Sequence, residues 1–217
     1  GYTGTVRANA SSLGSFGGGG YVSLKVGNLG LTANYGYNNR NSPWNDSHSE
    51  RETYKDWLAE DKPTKLIEDG RAKNKGPFQY GYLEASYEID TLNLISVGAN
   101  LFRGKNKSLS ELDAVLNPLG GNANESVVPI YSFHRNSNSE STFGSTDVNV
   151  DYQHSTSKKD ELLTVSYRFS QSPNDNESRT ELSDVVTYYL EEDYPKWNIN
   201  DASTIEHTGQ VDYTTPL

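Results

Sequence analysis

Apolar and polar residues alternate with a period of two in eight stretches of the chain, the period of a strand whose successive side chains point to opposite faces. Val6, Ala8 and Ala10 alternate with Arg7 and Asn9, and Val22, Leu24 and Val26 with Ser23 and Lys25. Leu29 to Tyr37, Leu83 to Ile89 and Ile95 to Leu101 repeat the pattern. It returns at Val148 to Tyr152, Leu163 to Phe169 and His207 to Tyr213. One face mixes Ala, Val, Leu and Tyr; the other carries small, amidic or charged side chains. The pattern predicts an all-β fold, an antiparallel meander of about eight strands in one domain over residues 1–217. A wall with an apolar outside and a wet lumen fits such strands, and so does a large twisted sheet or sandwich with one solvated face.

The connections divide by length. Gly27-Asn28, Asp90-Thr91 and Thr156–Asp160 are short enough for hairpins. Residues 12–19 read as a glycine-rich bend, with Gly17–Gly20 permitting a tight turn or a close backbone approach. The segments 38–77, 103–141 and 171–203 read as long loops. If neighbours are antiparallel, short turns gather at one end and long loops at the other, as in a transmembrane barrel or a fragment of one. Tyrosines near strand ends, among them Tyr35, Tyr37, Tyr152 and Tyr213, suit an interfacial girdle or ordinary strand propensity. Within the long segments, 111–117 (ELDAVLN) reads as one or two helical turns, 127–135 as partly extended, and 180–190 as a strand extension or a short helix. Arg71 to Lys75 (RAKNK) is a small basic patch of the kind usually solvated.

Composition narrows the chemistry. The chain has no Cys, which removes disulfides, thiolate nucleophiles and cysteine-built metal sites. Its net charge of -10 argues against binding a nucleic-acid backbone. No apolar run reaches the length of a membrane-spanning helix. His48, His134, His154 and His207 form no HxH or HExxH spacing. The glycine tract lacks the Lys-Ser/Thr context of a phosphate loop, and no serine elbow occurs. Neither a cofactor, a metal nor an enzyme activity is expected from these residues.

Two groups of side chains remain as candidates. Trp44, Trp57, Tyr194 and Trp197 stand among acids and amides in the long segments, where aromatic rings can stack on sugars, contact a partner or bury themselves. Arg7, Lys25, Glu84, Glu88, Asp147, Asp151, Arg168 and Asp212 fall on the polar side of the alternation and are expected to line a lumen.

The phrases GSFGGGGYVSLKVGNLGLTANYGYNNR, GYLEASYEIDTLNLISVGANLFRGKNKS, ELLTVSYRFSQSPND and EHTGQVDYTTPL resemble the outer-membrane β-barrel family of Bacteroidetes, similar to TonB-dependent receptors. The turn phrases IDTLN and STSKKDELL carry the likeness most closely. The resemblance implies a barrel of about 22 strands in a Gram-negative outer membrane, with an N-terminal plug and a TonB-type energy coupler as partners. This chain carries no plug or TonB box. Gly1-Tyr2-Thr3 and Pro216-Leu217 read as cut points, so the chain is expected to be roughly the first third of the barrel. It would contribute wall and outer loops to uptake of a large solute, its apolar faces meeting lipid. A piece of this kind has two bare edges, for which closure into a smaller barrel, a sandwich or self-association through those edges is expected. The alternative is a soluble or surface-attached β-rich module whose tryptophan-bearing loops bind carbohydrate or protein.

Overall fold

The computed structural model describes residues 1–119, 128–158, 160–187 and 194–215, and almost all of them lie in strands. In chain order these are β1 (Tyr2–Ala10), β2 (Phe16–Val26), β3 (Leu29–Asn41), β4 (Asn45–Asp56), β5 (Lys62–Glu88) and β6 (Asn93–Pro118). They continue with β7 (Tyr131–Ser155), β8 (Leu162–Val186), β9 (Lys196–Asn200) and β10 (Ser203–Thr214). All belong to one antiparallel sheet, ordered β1-β2-β3-β5-β6-β7-β8-β10, with β4 on β5 and β9 on β8. β4 extends the line of β3: β3 pairs with Lys75–Tyr87 of β5, β4 with Lys62–Ala72 of the same strand. Ser42-Pro43-Trp44 separates them, where a residue without an N–H interrupts the ladder. β9 extends β10 in the same way across Asp201-Ala202.

The alternating meander is therefore present, with its tight turns at one end, called lower here. The segments read as long loops are mostly strand. Residues 38–77 hold β4 and the upper half of β5, joined through a 3₁₀ turn at Trp57–Ala59 whose start is capped by Asp56 accepting from the Leu58 amide. Residues 111–117 are not helical but finish β6, because Leu112, Ala114 and Leu116 alternate with Glu111, Asp113 and Val115. β8 runs to Val186, so 180–186 is a strand extension, while 188–190 lie outside the described residues. The glycine-rich bend is shorter than its composition implies: β2 starts at Phe16, and Gly17–Gly20 are inside it. There a Cβ on Gly19 would stand 2.6 Å from the Tyr35 carbonyl oxygen.

Register fixes the two faces. On the front, Leu24, Leu31, Ala85, Val97 and Val150 lie in one cross-strand row. Leu101 and Val165 share that face. The lower front is thus an apolar field and the upper front is charged. Above the field the ladder has two gaps. Gly76-Pro77 of β5 is unpaired with β6, and Gly144-Ser145 of β7 is unpaired with β8 opposite Ser172-Pro173. Each gap joins a proline, which cannot donate, to a glycine of positive φ, +153° at Gly76 and +148° at Gly144.

The sheet stays open: of the barrel or barrel fragment expected, it is consistent with the fragment, and the expected closure of its edges does not form. β1 and β10 each pair on one side only, so neither a small barrel nor edge-to-edge closure forms within the chain. Among the described residues no second sheet covers it either. The accessible surface is 14851 Å², against about 10,000 Å² for a compact protein of this mass. Among the described residues only Leu66, Ala114 and Leu116 are buried apolar side chains, near the top of β5 and β6. A sheet with two bare edges would leave unpaired N–H and C=O groups in hydrocarbon, so the expectations of a bilayer partner and an outer-membrane location are not upheld. The chain's own strands close no wall around a lumen.

The gap at Gly76 gives a stability test. A Cβ there would sit 1.8 Å from the Lys105 carbonyl oxygen on a backbone that side chains rarely adopt. Gly76→Ala is expected to lower unfolding free energy by about 1–3 kcal/mol. Gly209→Ala on β10, where a Cβ meets nothing within 4 Å, is expected to stay within about 0.5 kcal/mol of the parent. Urea unfolding of the two variants compares them directly.

Candidate functional site: a charged cross-strand face

On the upper front, alternation selects charged residues as regularly as it selects apolar ones below. Asp46, His48, Glu50 and Glu52 alternate along β4; Asp69, Arg71, Lys73 and Lys75 along β5; Glu111 and Asp113 along β6. Antiparallel register then places His48, Asp69, Asp113 and His134 side by side on β4, β5, β6 and β7. His48 Nδ1 is 2.6 Å from Asp69 Oδ1, and His134 Nδ1 is 2.7 Å from Asp113 Oδ1. One row lower, Arg71 donates to Glu111 at 2.6 Å. These residues, with Asp46, line a concavity of about 660 Å³.

The hydrogen bond to Asp69 raises the His48 pKa above its ordinary value, with Glu50 adding to the effect. Asp113 does the same for His134. Asp69 and Asp113 stand opposite one another, a like-charge pair that is unfavourable alone. Each histidine draws one carboxylate away from the other, and this offsets the repulsion most fully when both rings are protonated.

Two of the candidate aromatics meet on this face from opposite ends of the chain. Trp197 pairs in register with Arg179 of β8, which pairs with Asn138 of β7 and through it with Leu109 of β6. Leu109 pairs with Lys73 of β5, and Trp44 is the residue just before β4 at that level. A single row through Lys73, Leu109, Asn138 and Arg179 thus has a tryptophan at each end, separated by five strand spacings, on the order of 24 Å. Arg71 lies over the Trp44 ring at 4.9 Å, and Arg179 over Trp197 at 4.9 Å. Such cation–π contacts hold the rings in place while leaving Trp44 38% and Trp197 55% exposed.

The other candidates lie elsewhere. Trp57 is 81% exposed in the 3₁₀ turn, away from this row. Tyr194 precedes Pro195 at a cis peptide bond, with Lys196 Nζ 6.0 Å from its ring centre. Arg7, Lys25, Glu84, Glu88, Asp147, Asp151, Arg168 and Asp212 all occupy the back face of the lower sheet by register. They are spread over it rather than gathered. Arg168 donates to Asp147 at 2.7 Å and holds that carboxyl below its ordinary range. Arg7 bonds the Tyr80 hydroxyl, Glu84 accepts from Tyr82, and Asp151 and Asp212 accept from Asn149 and Gln210. The open sheet of this chain does not close around them. Among the described residues, no group of three or more His, Cys, Asp or Glu is placed to hold a metal ion.

No protein-family model matches the chain, and no curated protein matches it. The likeness to TonB-dependent outer-membrane receptors is therefore not upheld, and the plug and energy coupler it implied as partners go with it. What the chain shows is an all-β architecture of unassigned family.

The histidine pairs carry a pH expectation with a definite sign. Each folded-state pKa is raised, so the stabilisation is fully present below the unfolded value of 6.5 and is lost as pH rises through the higher folded value. In an NMR titration, Asp113→Asn should bring the His134 pKa down while leaving that of His48 in place. An unmoved His134 would show that the pair is not formed in solution.

Proposed function

We propose that this chain is a carbohydrate-binding module whose ligand lies across the upper front of the sheet. The observation that carries this reading is the cross-strand row bounded by Trp44 and Trp197, with the His48–Asp69–Asp113–His134 row above it. Sugars present apolar faces that stack on indole rings and hydroxyls that both donate and accept. The face offers both kinds of partner: exposed tryptophans at its margins, and carboxylate, imidazole, guanidinium and amide groups between them. The polar side chains are held by their mutual bonds, so little ordering cost falls on binding. The distance between the tryptophans favours an oligosaccharide over a single sugar.

Binding is proposed without turnover. A glycosidase holds two carboxyl groups ready across a glycosidic bond. Here Asp69, Asp113 and Glu111 are engaged with His48, His134 and Arg71. A surface that binds protein would also use these groups, but open concavities lined by hydrogen-bonding side chains suit a narrow polar chain better than a flat partner.

The test is titration of oligosaccharides against the protein, followed by tryptophan fluorescence. Trp44→Ala and Trp197→Ala are each expected to weaken binding about tenfold, equivalent to about 1.4 kcal/mol, with the fold intact by circular dichroism. Trp57→Ala should have no effect. Equal losses from all three, or no oligosaccharide bound by the parent protein at millimolar concentration, would sink the reading.

A further inference from the structure

We infer that the oligosaccharide recognised here is acidic, and that its anionic groups are held by a lysine cluster on β5 and β6. The inference rests on the carbohydrate reading above and adds the charge of the ligand. Lys73 and Lys75 on β5 and Lys105 and Lys107 on β6 all point to the front, since they sit at alternate positions. Lys75 is directly opposite Lys107. Like charges facing across a ladder destabilise a sheet. Lys105 is held by Glu140 at 2.5 Å, but Lys73, Lys75 and Lys107 have no salt-bridge partner among the described residues.

That arrangement stands out in this chain. Acids outnumber bases by 29 to 19, so carboxylates are plentiful, yet the described carboxylates lining the hollows at this patch are Glu140, which faces Lys107, and Glu177 next to it. The lysines line a concavity of about 450 Å³, together with Asn39 and Asn41. Its position matches the proposed site. Lys73 lies in the row that links Trp44 to Trp197, and Lys107 reaches a smaller concavity of about 210 Å³ that contains Arg179 and Trp197. Asp69 is six residues from Lys75 on the same face of β5, on the order of 20 Å. The Trp44–Trp197 row thus lies between carboxylates and imidazoles at the upper end of the site and free ammonium groups at its lower end.

The chemistry at each end defines the ligand. Carboxylates accept hydrogen bonds from hydroxyls and repel anions; ammonium groups are point charges that take any anionic oxygen. A chain charged at every unit, as a nucleic acid is, would bring phosphate against Asp69, Asp113 and Glu111. A hydroxyl-rich glycan bearing carboxylate or sulfate groups at intervals satisfies both ends.

The experiment is calorimetric titration of the full chain at low salt with four probes. These are neutral dextran oligosaccharides, polygalacturonate oligosaccharides, sulfated dextran oligosaccharides and single-stranded DNA of similar length. The parent should bind one or both acidic glycans at least tenfold more tightly than the neutral one, and the tighter of the two identifies carboxylate or sulfate as the anion. Lys73→Gln/Lys75→Gln/Lys107→Gln should lose that preference, read as the ratio of acidic-glycan to neutral-glycan affinity in the same variant. A control of equal charge change, Lys55→Gln/Lys62→Gln/Lys158→Gln, should keep it. The inference is overturned if the first triple variant retains the preference, if the control loses as much, or if DNA binds as tightly as the acidic glycans. Equal affinity for neutral and acidic glycans would overturn it too while leaving the carbohydrate reading standing. Failure of every glycan would remove both.

Discussion

The in-register antiparallel ladder is the interaction on which everything else in this structure depends. A single sheet with both faces largely exposed has little core to choose between alternative pairings. The three buried apolar side chains are near the top of β5 and β6, Leu66 opposite Leu116 and Ala114 one step along the same face. Long-range order therefore comes from backbone hydrogen bonds over strands of 25 to 27 residues, whose register holds along each pair but for one shift near the top of β7 and β8. A slip of one residue would exchange the two faces along a whole strand, moving the lower apolar residues to the polar side and the upper charges to the back.

Register is also what turns scattered residues into a surface. His48 and His134 are far apart in sequence and three strand spacings apart across the sheet, yet they close the two ends of one row. Trp44 and Trp197 come from opposite ends of the chain and bound another. Each row is a straight line across the sheet, so side-chain spacing is set by strand spacing rather than by loop conformation. The pairs His48–Asp69 and Asp113–His134 then relieve the repulsion between the two central carboxylates, and Arg71 ties the next row to Trp44 and Glu111 together.

Much of the fold was legible because a period of two survives wherever one face is apolar. Val148 to Tyr152 and Leu163 to Phe169 are strands on that ground alone. The upper sheet was harder to read because its alternation is between charged and small polar residues, as in DSHSERE, and carries no hydrophobic signal. Charge at i, i+2 and i+4 in Asp46, His48 and Glu50, and the same spacing in Arg71, Lys73 and Lys75, is the trace it left. Trp44 and Trp197 could be singled out by type, but their common row depends on pairing across six strands, which local sequence does not contain. Closure was misjudged for a related reason. Alternation specifies a wall and is silent on whether the first and last strands meet.

The two proline-and-glycine gaps in the ladder divide the sheet by stiffness. A sheet resists flexing through the rungs that cross a line, and fewest cross where Gly76-Pro77 and Gly144 leave them out. Lys105 stands opposite Pro77 in the register of β6, so the lysine concavity lies along the compliant line. The His48–Asp69–Asp113–His134 row lies in the uninterrupted ladder above. One end of the proposed groove is thus a rigid ruler and the other an adjustable jaw, able to take up anionic groups at more than one spacing while the hydroxyl-reading end keeps its dimensions.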